Sequence, residues 1–499
     1  MSCGPGAVRS APVPSFAELA AASAWLAGVP GLPEQAARWE ADLPTVRAAL
    51  AGRARVLARP TVHPAALGRI GALAGRTAAA LGRTAGDLPV SLWRTLVFGQ
   101  DLPSPGQHLA LRLGEVVRSG GPSLVKLGQF VATARGLLPD ELVDNLAWCR
   151  DEVPPLDAGV VRRRVTAELG PVEERFDAFD EEPMAAGSIA QAHRATTADG
   201  RSVVVKVRRP GLAAAFTRDL RALALAAFAA ERASGTVRAV NLTGFVAVFA
   251  ELVLQELDLR LEAANMVELG LAAEHAGAAA VAFPRPLPGA VTPRVLVMEH
   301  VPGVPYTDAD WDRVPAQRRA ELLRLVITGV VEHTLVYGVF HGDLHAGNVL
   351  ATEDGRLGLV DYGIVGRLGE RDRLALVRFM VGFALDDVPG QLAALADLGA
   401  VPHGADVDAM AADLRAALPV GQALAHDGLG PAIGAVVRVL AAHGCRLPSP
   451  LLLFFKNLLY LNGFAASVAP GVDLLGEIGP VFSYFRDKYP DATAAFASC

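Results

Sequence analysis

The chain has 499 residues, of which 52% are hydrophobic and 20% charged, and its formal net charge is −6. This length is typical of two or three domains, and the composition supports a large core and argues against a disordered chain. The negative charge argues against a generic nucleic-acid binder, which would carry a basic surplus, so no nucleic-acid partner is expected.

Cellular location is indicated only by negative features. The four cysteines lie far apart without metal or redox spacing, which fits a reducing compartment. No basic region followed by an apolar run opens the chain, so no signal peptide is expected. Polar residues interrupt the most apolar stretches, Leu322–Phe340 and Leu451–Phe464, which we interpret as buried helices. We expect a cytoplasmic protein with at most peripheral contact at the inner face of the membrane.

Residues 1–105 form a predicted helical extension rich in Ala, Arg and Pro. No acidic residue occurs from Leu43 to Gly86, whereas arginines recur there at positions 47, 53, 55, 59, 69, 76 and 83. Such a stretch fits either a helix lying on an anionic membrane surface or one packed on the main domain, and the sequence leaves both open.

The region from residue 106 to 300 changes from helix to strand and back. Helical periodicity dominates residues 106–169, with a new helix expected from Pro139. Short strands are then predicted at 176–179, 188–195 and 202–207, with a turn at Asp199-Gly200. Helix returns over 212–277, and 295–298 is a further strand.

Helices dominate residues 301–499, except around 339–362. A small mixed lobe followed by a mostly helical lobe is the layout of an α+β, protein-kinase-like fold. We therefore divide the chain into the extension (1–105), a helical element with an N-lobe (106–300) and a C-lobe (301–499).

Residues 341–348 read His-Gly-Asp-Leu-His-Ala-Gly-Asn, and Asp361-Tyr362-Gly363 follows after a short strand. Phosphoryl transfer needs such a set of oxygens. One carboxylate orients the attacking hydroxyl, while an Asn and an Asp hold Mg²⁺ on the phosphates. We predict these roles for Asp343, Asn348 and Asp361, with ATP as the phosphate donor.

A lysine in a buried-strand pattern needs a partner, because an isolated buried cation is costly. In Val203–Val207 that lysine is Lys206, and in kinases its partners are ATP phosphates and a helix glutamate. Met298–Val301 resembles the strand and hinge that bind adenine through the backbone of Glu299 and Val301, with Met298 behind. An ordinary strand end is the alternative.

The glutamate that would pair with Lys206 is expected in Gln255–Asn265, which we predict as one helix. Asp258 and Glu262 are four residues apart and would share a face, an unfavourable arrangement unless a ligand, metal or lysine offsets the repulsion. A solvated face is the alternative.

Together these segments resemble the UbiB (AarF-type) family of atypical kinases. The resemblance covers roughly residues 106–480 and rests, in order, on Lys126-Leu-Gly-Gln129, the loop Ala185-Ala-Gly-Ser-Ile-Ala-Gln191, Lys206, Glu256-Leu-Asp258, Glu262 and the two motifs above. Each motif alone is modest evidence for the family, but all of them together in this order are highly specific for it.

The resemblance implies that Lys206 pairs with Glu262 and reaches the phosphates of ATP. It also implies that Lys126 and Gln129 belong to a family-specific element folded over the cleft where protein kinases bind peptide. In the family, the Glu256/Asp258 triplet ties that element to the site. This implies a poor protein kinase whose site serves either ATP hydrolysis or a small substrate, an isoprenoid-type lipid or quinone precursor.

The resemblance also implies that an Ala-rich loop covers the phosphates, comprising Ala185, Ala186, Gly187, Ser188 and Ile189. The sequence departs from the family pattern at Gly187, where Ala is commoner, and at Tyr362, where Phe is commoner. The first change is expected to loosen the loop. The second keeps a packing ring and should leave Asp361 unaffected.

Three alternatives remain open. His341 and His345 flank Asp343, but a zinc site needs a third ligand, and we favour a bracing role for His341. A small-molecule phosphotransferase of the aminoglycoside or choline kinase type shares the phrase beginning at His341, but lacks the element around Lys126. A non-catalytic, ATP-dependent scaffold or lipid chaperone would use the same residues for binding alone. The absence of a long activation segment and of Ala-Pro-Glu after Gly363 argues against peptide docking.

Overall fold

A computed structural model provides the fold. The structure describes residues 14–79, 105–132, 144–150, 153–233, 242–278, 280–384, 387–402, 404–417, 429–445, 448–470, 472 and 478–489. The helix expected from Pro139, and Arg83, lie outside these residues.

The helices of the described residues are α1 (Phe16–Ala22), α2 (Ala24–Ala27), α3 (Leu32–Leu57), α4 (64–79), α5 (Pro105–Gly120), α6 (Pro122–Ala132), α7 (Ala158–Leu169), α8 (Val172–Arg175), α9 (Leu212–Ala233), α10 (Leu242–Glu256), α11 (Leu259–His275), α12 (Ala316–Glu332), α13 (Glu370–Ala384), α14 (Val388–Asp397), α15 (Val407–Ala417), α16 (Leu429–Ala442), α17 (Ser449–Val468) and α18 (Ile478–Lys488). Short 3₁₀ segments lie at Ala147–Arg150, Trp311–Arg313 and Ala346–Asn348, and a π-helical turn lies at His333–Tyr337.

The strands are β1 (Phe176–Phe179), β2 (Ala185–Ala186), β3 (Ala190–Thr197), β4 (Ser202–Arg208), β5 (Val281–Ala282), β6 (Pro286–Val291), β7 (Val295–Glu299), β8 (Val304–Pro305), β9 (Val339–His341), β10 (Val349–Ala351), β11 (Leu357–Leu359) and β12 (Val365–Arg367). Helices together with small sheets confirm the α+β class.

Two compact units divide the chain. The N-terminal unit comprises Thr45–Asp258 with Pro293–Val295. The C-terminal unit comprises the chain up to Pro44, Leu259–Thr292 and everything from Leu296 onward. These units follow compactness rather than sequence order, so the divisions expected at residues 105 and 300 stay predictions.

The sheet of the N-terminal unit is antiparallel. β3 pairs with β1, β2 and β4, and Ala192 of β3 lies opposite Lys206 of β4. β1 has the predicted bounds, and β4 extends one residue beyond its prediction. The strand predicted from Ser188 begins instead at Ala190, because the Gly187 N–H donates to the Ala190 carbonyl at 2.9 Å and closes a turn between β2 and β3.

The prediction of one helix over Gln255–Asn265 is wrong. α10 ends at Glu256 and α11 begins at Leu259, so Asp258 lies in the break and does not share a helix face with Glu262. The Leu257 carbonyl, which lies in this break, accepts a hydrogen bond from the Arg208 guanidinium of β4 instead of a helical N–H. Asp also favours positions just before a helix, where its carboxylate can accept backbone N–H groups.

Part of the arginine-rich extension packs within the N-terminal unit. The Arg69 guanidinium lies 2.8 Å from the Asp219 carboxylate, and both side chains are almost fully buried. Arg53 donates to the Thr217 hydroxyl at 2.9 Å. These contacts favour the packed interpretation for this part of the extension.

In the described residues, the C-terminal unit combines helices with the antiparallel pair of β6 and β7 and with two small sheets. One sheet has the strand order β5-β11-β10-β8, and β9 pairs antiparallel with β12. Tyr306, Leu323 and Phe464 belong to one buried cluster that includes Leu344 of the loop that follows β9. One described helix, α17, is long and apolar enough over Pro450–Val468 to span a membrane by length and composition, and half of that stretch is buried.

Candidate functional site

His341 is the buried brace of the loop that follows β9. Its Nδ1 accepts the Asp343 N–H at 3.1 Å, so Nε2 carries the hydrogen and faces the Val360 carbonyl at 3.3 Å. Burial lowers the pKa of this imidazole, although the carboxylates of Asp343 and Asp361 act in the opposite direction. His341 is therefore a neutral structural group with both ring nitrogens engaged, which argues against a zinc ligand there.

Asn348 closes the same loop. Its side-chain Nδ2 donates to the Asp343 carbonyl at 2.9 Å, and its own N–H donates to the His345 carbonyl at 2.8 Å. The Val360 N–H in turn donates to the Asn348 carbonyl at 3.0 Å. The buried amide is thus held with its nitrogen toward the loop.

Strand pairing brings the second motif to the first. Val365 of β12 lies opposite His341 of β9, and the Gly342 N–H donates to the Ile364 carbonyl at 2.9 Å. The segment beginning at Asp361 therefore runs beside the loop that carries Asp343. The predicted oxygen donors of the C-terminal unit are gathered around one buried histidine.

Asp361 adopts φ 61°, the left-handed region that non-glycine residues rarely occupy. Its Oδ1 accepts the Gly363 N–H at 3.2 Å, a local hydrogen bond of the kind that makes this conformation tolerable for Asp. Backbone strain of this kind is often found at functional sites.

Tyr362 is fully buried and has a partner for its hydroxyl. The hydroxyl donates to the Leu359 carbonyl at 2.7 Å, and the ring meets His341 edge-on at 5.4 Å between centroids. Burial raises the pKa of the phenol well above its ordinary value. Tyr in place of Phe therefore keeps the packing ring without leaving a buried hydroxyl unsatisfied.

Two residues of α11 hold the backbone of this motif. The Tyr362 N–H donates to the buried carboxylate of Glu262 at 3.3 Å, and Asn265 donates to the Tyr362 carbonyl at 2.8 Å. Arg367 donates to Asn265 Oδ1 at 2.7 Å. The pairing expected between Glu262 and Lys206 joins residues of different units and stays a prediction.

The predicted hinge lies at the end of β7. Met298 is buried opposite Pro286 of β6. The Glu299 N–H donates to the Arg285 carbonyl at 2.9 Å, and its carboxylate pairs with the Arg285 guanidinium at 2.7 Å. An adenine contact from Glu299 would therefore use its carbonyl oxygen. The side chain of Val301 lies against Gly358, where an added Cβ would come within 2.6 Å of it.

In the N-terminal unit, the motif Lys126–Gln129 lies on α6, and its two polar residues contact other segments. Lys126 Nζ lies 2.7 Å from Glu256 Oε2 at the end of α10. Gln129 donates to the Cys149 carbonyl at 2.7 Å and accepts the Ser188 hydroxyl at 2.9 Å. Burial raises the pKa of the Cys149 thiol to about 11, so this cysteine is an inert packing group.

Gly128, between Lys126 and Gln129, is required by the packing of α6. A Cβ on Gly128 would lie 2.5 Å from Cys149 Sγ, so only glycine allows α6 to approach this closely. The loop that Gln129 reaches is also held by Arg209, whose Nε donates to the Gly187 carbonyl at 2.7 Å.

Sequence reasoning missed three polar residues of α17. Lys456 Nζ lies 2.8 Å from Asp343 Oδ1, the Tyr460 hydroxyl lies 3.3 Å from the same oxygen, and Asn457 donates to the His341 carbonyl. The signal was the polar interruption of an apolar helix, which we used only to argue against a membrane span. Nowhere among the described residues do three or more His, Cys, Asp or Glu side chains cluster in a way that suits a metal ion.

The fold and this arrangement define an atypical kinase-like protein. Residues 149–393 match the model of the ABC1 atypical kinase-like domain. The chain is 33% identical over 419 residues to "Probable protein kinase UbiB" of Azotobacter vinelandii, covering 81% of this chain and 77% of the relative. The protein of the same name in Pseudomonas aeruginosa PAO1 is 31% identical, and the match covers 79% of this chain and 76% of that relative. The one in Pseudomonas putida GB-1 is 33% identical, and the match covers 80% of this chain and 74% of that relative.

The chain belongs to the UbiB family of atypical kinase-like proteins, as the sequence motifs indicated. The kinase-like fold predicted from the layout of strands and helices is thereby confirmed. A solved structure of Rv3197 with erythromycin, from Mycobacterium tuberculosis, aligns over 79% of this chain and 98% of that chain with a TM-score of 0.43 and 22% identity.

Proposed function

We propose that this protein is a UbiB-like atypical kinase or ATPase that binds Mg²⁺-ATP and acts in isoprenoid-lipid or quinone metabolism. One observation carries the proposal. The loop of Asp343 and Asn348 and the strained segment at Asp361 are bonded to each other around buried His341. This is the set of groups that phosphoryl transfer requires.

The donor chemistry of the set fits magnesium. The amide oxygen of Asn348 and the carboxylate of Asp361 are hard oxygen donors, the type that Mg²⁺ prefers. The bound ion would neutralise charge on the phosphates of ATP. Asp343 would orient the attacking hydroxyl or water, while His341 keeps the loop in shape through its two ring nitrogens.

The remaining predicted residues complete the nucleotide site in this proposal. The hinge residues Met298, Glu299 and Val301 would contact adenine. Lys206, paired with Glu262, would bind the phosphates beneath the loop that runs from Ala185 to Ile189. The anchoring of that loop by Gln129 and Arg209 supports a fixed loop conformation.

We infer a small acceptor rather than a peptide. β12 and then α13 follow Gly363 directly, which leaves little chain for an activation segment that could dock a peptide. The Lys126–Glu256 pair holds the family-specific helix α6 in place within its own unit. An isoprenoid-type lipid or quinone precursor is the acceptor class implied by the family resemblance, reached from the cytoplasm by at most peripheral membrane contact.

Mg²⁺-dependent release of ADP from ATP tests this function. We expect Asp361→Asn to lower the turnover of the purified protein by about 100-fold or more, because it removes a ligand charge. Arg313→Gln is the matched surface control, since the Arg313 side chain is 85% exposed. Turnover unchanged in Asp361→Asn would contradict the proposal.

The same assay with added liposomes and isoprenoid phenols separates the alternatives. Tight ATP binding without turnover, even with lipid present, would indicate the scaffold or lipid chaperone. Stimulation by aminoglycosides or choline, but not by isoprenoid phenols, would indicate the small-molecule phosphotransferase. Flotation with anionic liposomes at low salt tests the peripheral contact, and its absence would count against that part of the proposal.

A further inference from the structure

Helix α17 carries a polar group in the middle of an apolar sequence. Lys456, Asn457 and Tyr460 interrupt a run of Leu and Phe residues, and Lys456 and Tyr460 are four positions apart, so they share a helix face. Asn457 is fully buried. Buried polar groups of this kind need specific partners, because their desolvation is otherwise unfavourable.

Three contacts join these side chains to the end of β9 and the loop that follows it. Lys456 Nζ and the Tyr460 hydroxyl converge on one atom, Asp343 Oδ1, at 2.8 Å and 3.3 Å. The Lys456 ammonium also lies 5.5 Å from the centre of the Tyr460 ring, within cation–π range. Asn457 donates to the His341 carbonyl. α17 therefore contacts the backbone at one point and the Asp343 carboxylate at another.

The pair is substantially shielded from water. The Lys456 side chain is 12% exposed and that of Asp343 is 19% exposed. The loop itself, from His341 to Asn348, contains no Lys or Arg. Lys456 therefore brings a positive charge to Asp343 from a helix far along the chain.

Neither stability nor membrane insertion accounts well for this arrangement. A largely buried ion pair contributes little net stability, because desolvation of both charges offsets their attraction. A membrane-spanning α17 would expose Lys456 and Asn457 to lipid near its middle, at considerable cost. In the folded C-terminal unit both side chains are instead bonded to the loop. Two donors meeting at Oδ1 restrict rotation of the Asp343 carboxylate, which is useful for a group that must orient a nucleophile.

We propose that Lys456, assisted by Tyr460, is a positioning residue that holds the Asp343 carboxylate in the rotation needed for phosphoryl transfer. The proposal rests on the function proposed above. It assigns a reaction-related role to α17, outside the sequence motifs of the family resemblance. The role is positioning, because the contacts of Lys456 and Tyr460 act through Asp343.

The test measures kcat and KM for ATP in Lys456→Met, Lys456→Arg and Tyr460→Phe. We expect Lys456→Met to lower kcat by about 10- to 100-fold with KM within about threefold, because orientation is lost while nucleotide contacts remain. Lys456→Arg should recover most of kcat, and Tyr460→Phe should lose less than Lys456→Met. In an Asp343→Asn background, Lys456→Met should have little further effect, because the group it positions is gone.

Lys488→Met is the matched control. Lys488 lies in the same unit and pairs with buried Glu332 at 2.7 Å. The same Lys-to-Met substitution there therefore also removes an ion pair. Its kcat should stay near the wild-type value once normalised to folded protein. Equal losses of kcat in Lys456→Met and Lys488→Met, or the same fold-loss with and without Asp343, would overturn the positioning role.

The two proposals fail differently. Wild-type protein without Mg²⁺-dependent turnover overturns both. Wild-type turnover that is lost in Asp361→Asn but unchanged in Lys456→Met overturns the positioning role alone.

Discussion

Each unit of this protein contains a lysine that pairs with a carboxylate at nearly the same distance. In the N-terminal unit, Lys126 and Glu256 lie 2.7 Å apart with side chains 16% and 9% exposed. In the C-terminal unit, Lys456 and Asp343 lie 2.8 Å apart with side chains 12% and 19% exposed. Distance and burial alone therefore do not distinguish them.

What surrounds each pair does distinguish them. Lys126 joins two helices whose neighbouring residues, Gln129 and Gly128, also make packing or anchoring contacts. Asp343 instead lies on a loop braced by His341 and bonded to Asn348, beside the strained backbone of Asp361. The same type of ion pair is thus expected to hold structure in one unit and to orient a reacting group in the other.

The largest expected difference between the pairs is in turnover. Asp343→Asn should lower Mg²⁺-dependent ADP release by about 10²–10⁴-fold, because it removes the group that orients the nucleophile. Glu256→Gln should leave turnover per folded molecule within about threefold. It should lower the free energy of unfolding by about 1–3 kcal/mol, because Lys126 loses a largely buried partner.

ADP release and urea unfolding measured on both variants check this comparison. Arg378→Gln is the control, because the Arg378–Asp397 pair is exposed on both sides and should change stability by less than about 1 kcal/mol. A loss of turnover in Glu256→Gln as large as in Asp343→Asn would show that the two pairs share one role.

Buried His333 makes the stability of the C-terminal unit depend on pH. In the C-terminal unit, burial and neighbouring His341 lower the pKa of His333 to about 4 from its ordinary value of 6.5. Above pH 6.5 this imidazole is neutral in both the folded and unfolded states. As the pH falls from 6.5 to 4, only the unfolded chain takes up the proton, so the free energy of unfolding decreases. The expected decrease between pH 7 and pH 5 is about 2 kcal/mol.

Urea unfolding of wild-type protein and His333→Phe at these two pH values isolates this contribution. The phenylalanine keeps a ring beside Phe283 and Tyr337 but cannot take up a proton. Its stability should therefore fall less on acidification than that of the wild type. His63→Asn, at an exposed position, serves as the control. Equal acid sensitivity in wild type and His333→Phe would contradict the assignment.

The smallest expected effect is on the nucleotide loop of the N-terminal unit. A Cβ on Gly187 would lie 3.2 Å from the Ala190 carbonyl oxygen, tight enough to shift the turn by a few tenths of an ångström. We expect Gly187→Ala to change the Kd for ATP or ADP by about 2- to 10-fold, or about 0.4–1.4 kcal/mol.

Calorimetric titration with both nucleotides checks this effect. Gly52→Ala is the control, because a Cβ there meets nothing within 4 Å. Unchanged binding of ATP and ADP in Gly187→Ala would show that the departure from the family pattern has no consequence for the site.

Much of the fold could be predicted where short-range patterns govern it. The strands at Phe176 and Ser202 follow from β-rich runs between turn residues, and β7 follows in the same way. The helix over Gln255–Asn265 could not be divided correctly. Carboxylate spacing resembles a helix face whether or not the chain breaks there, and the Arg208 contact that satisfies the Leu257 carbonyl is not visible in local sequence.

By itself, the sequence determined the family and the chemical types of the candidate site. Those depend on residue identity and order along the chain, as in the segments that carry Asp343 and Asp361. Only the tertiary structure decided which distant side chains contact the residues of the candidate site. Tyr460 lies 117 residues from Asp343 and reaches it together with Lys456, because the packing of α17 against the loop places both side chains there. Periodicity indicates which residues are buried, but a contact between distant segments depends on how the helix is packed and oriented.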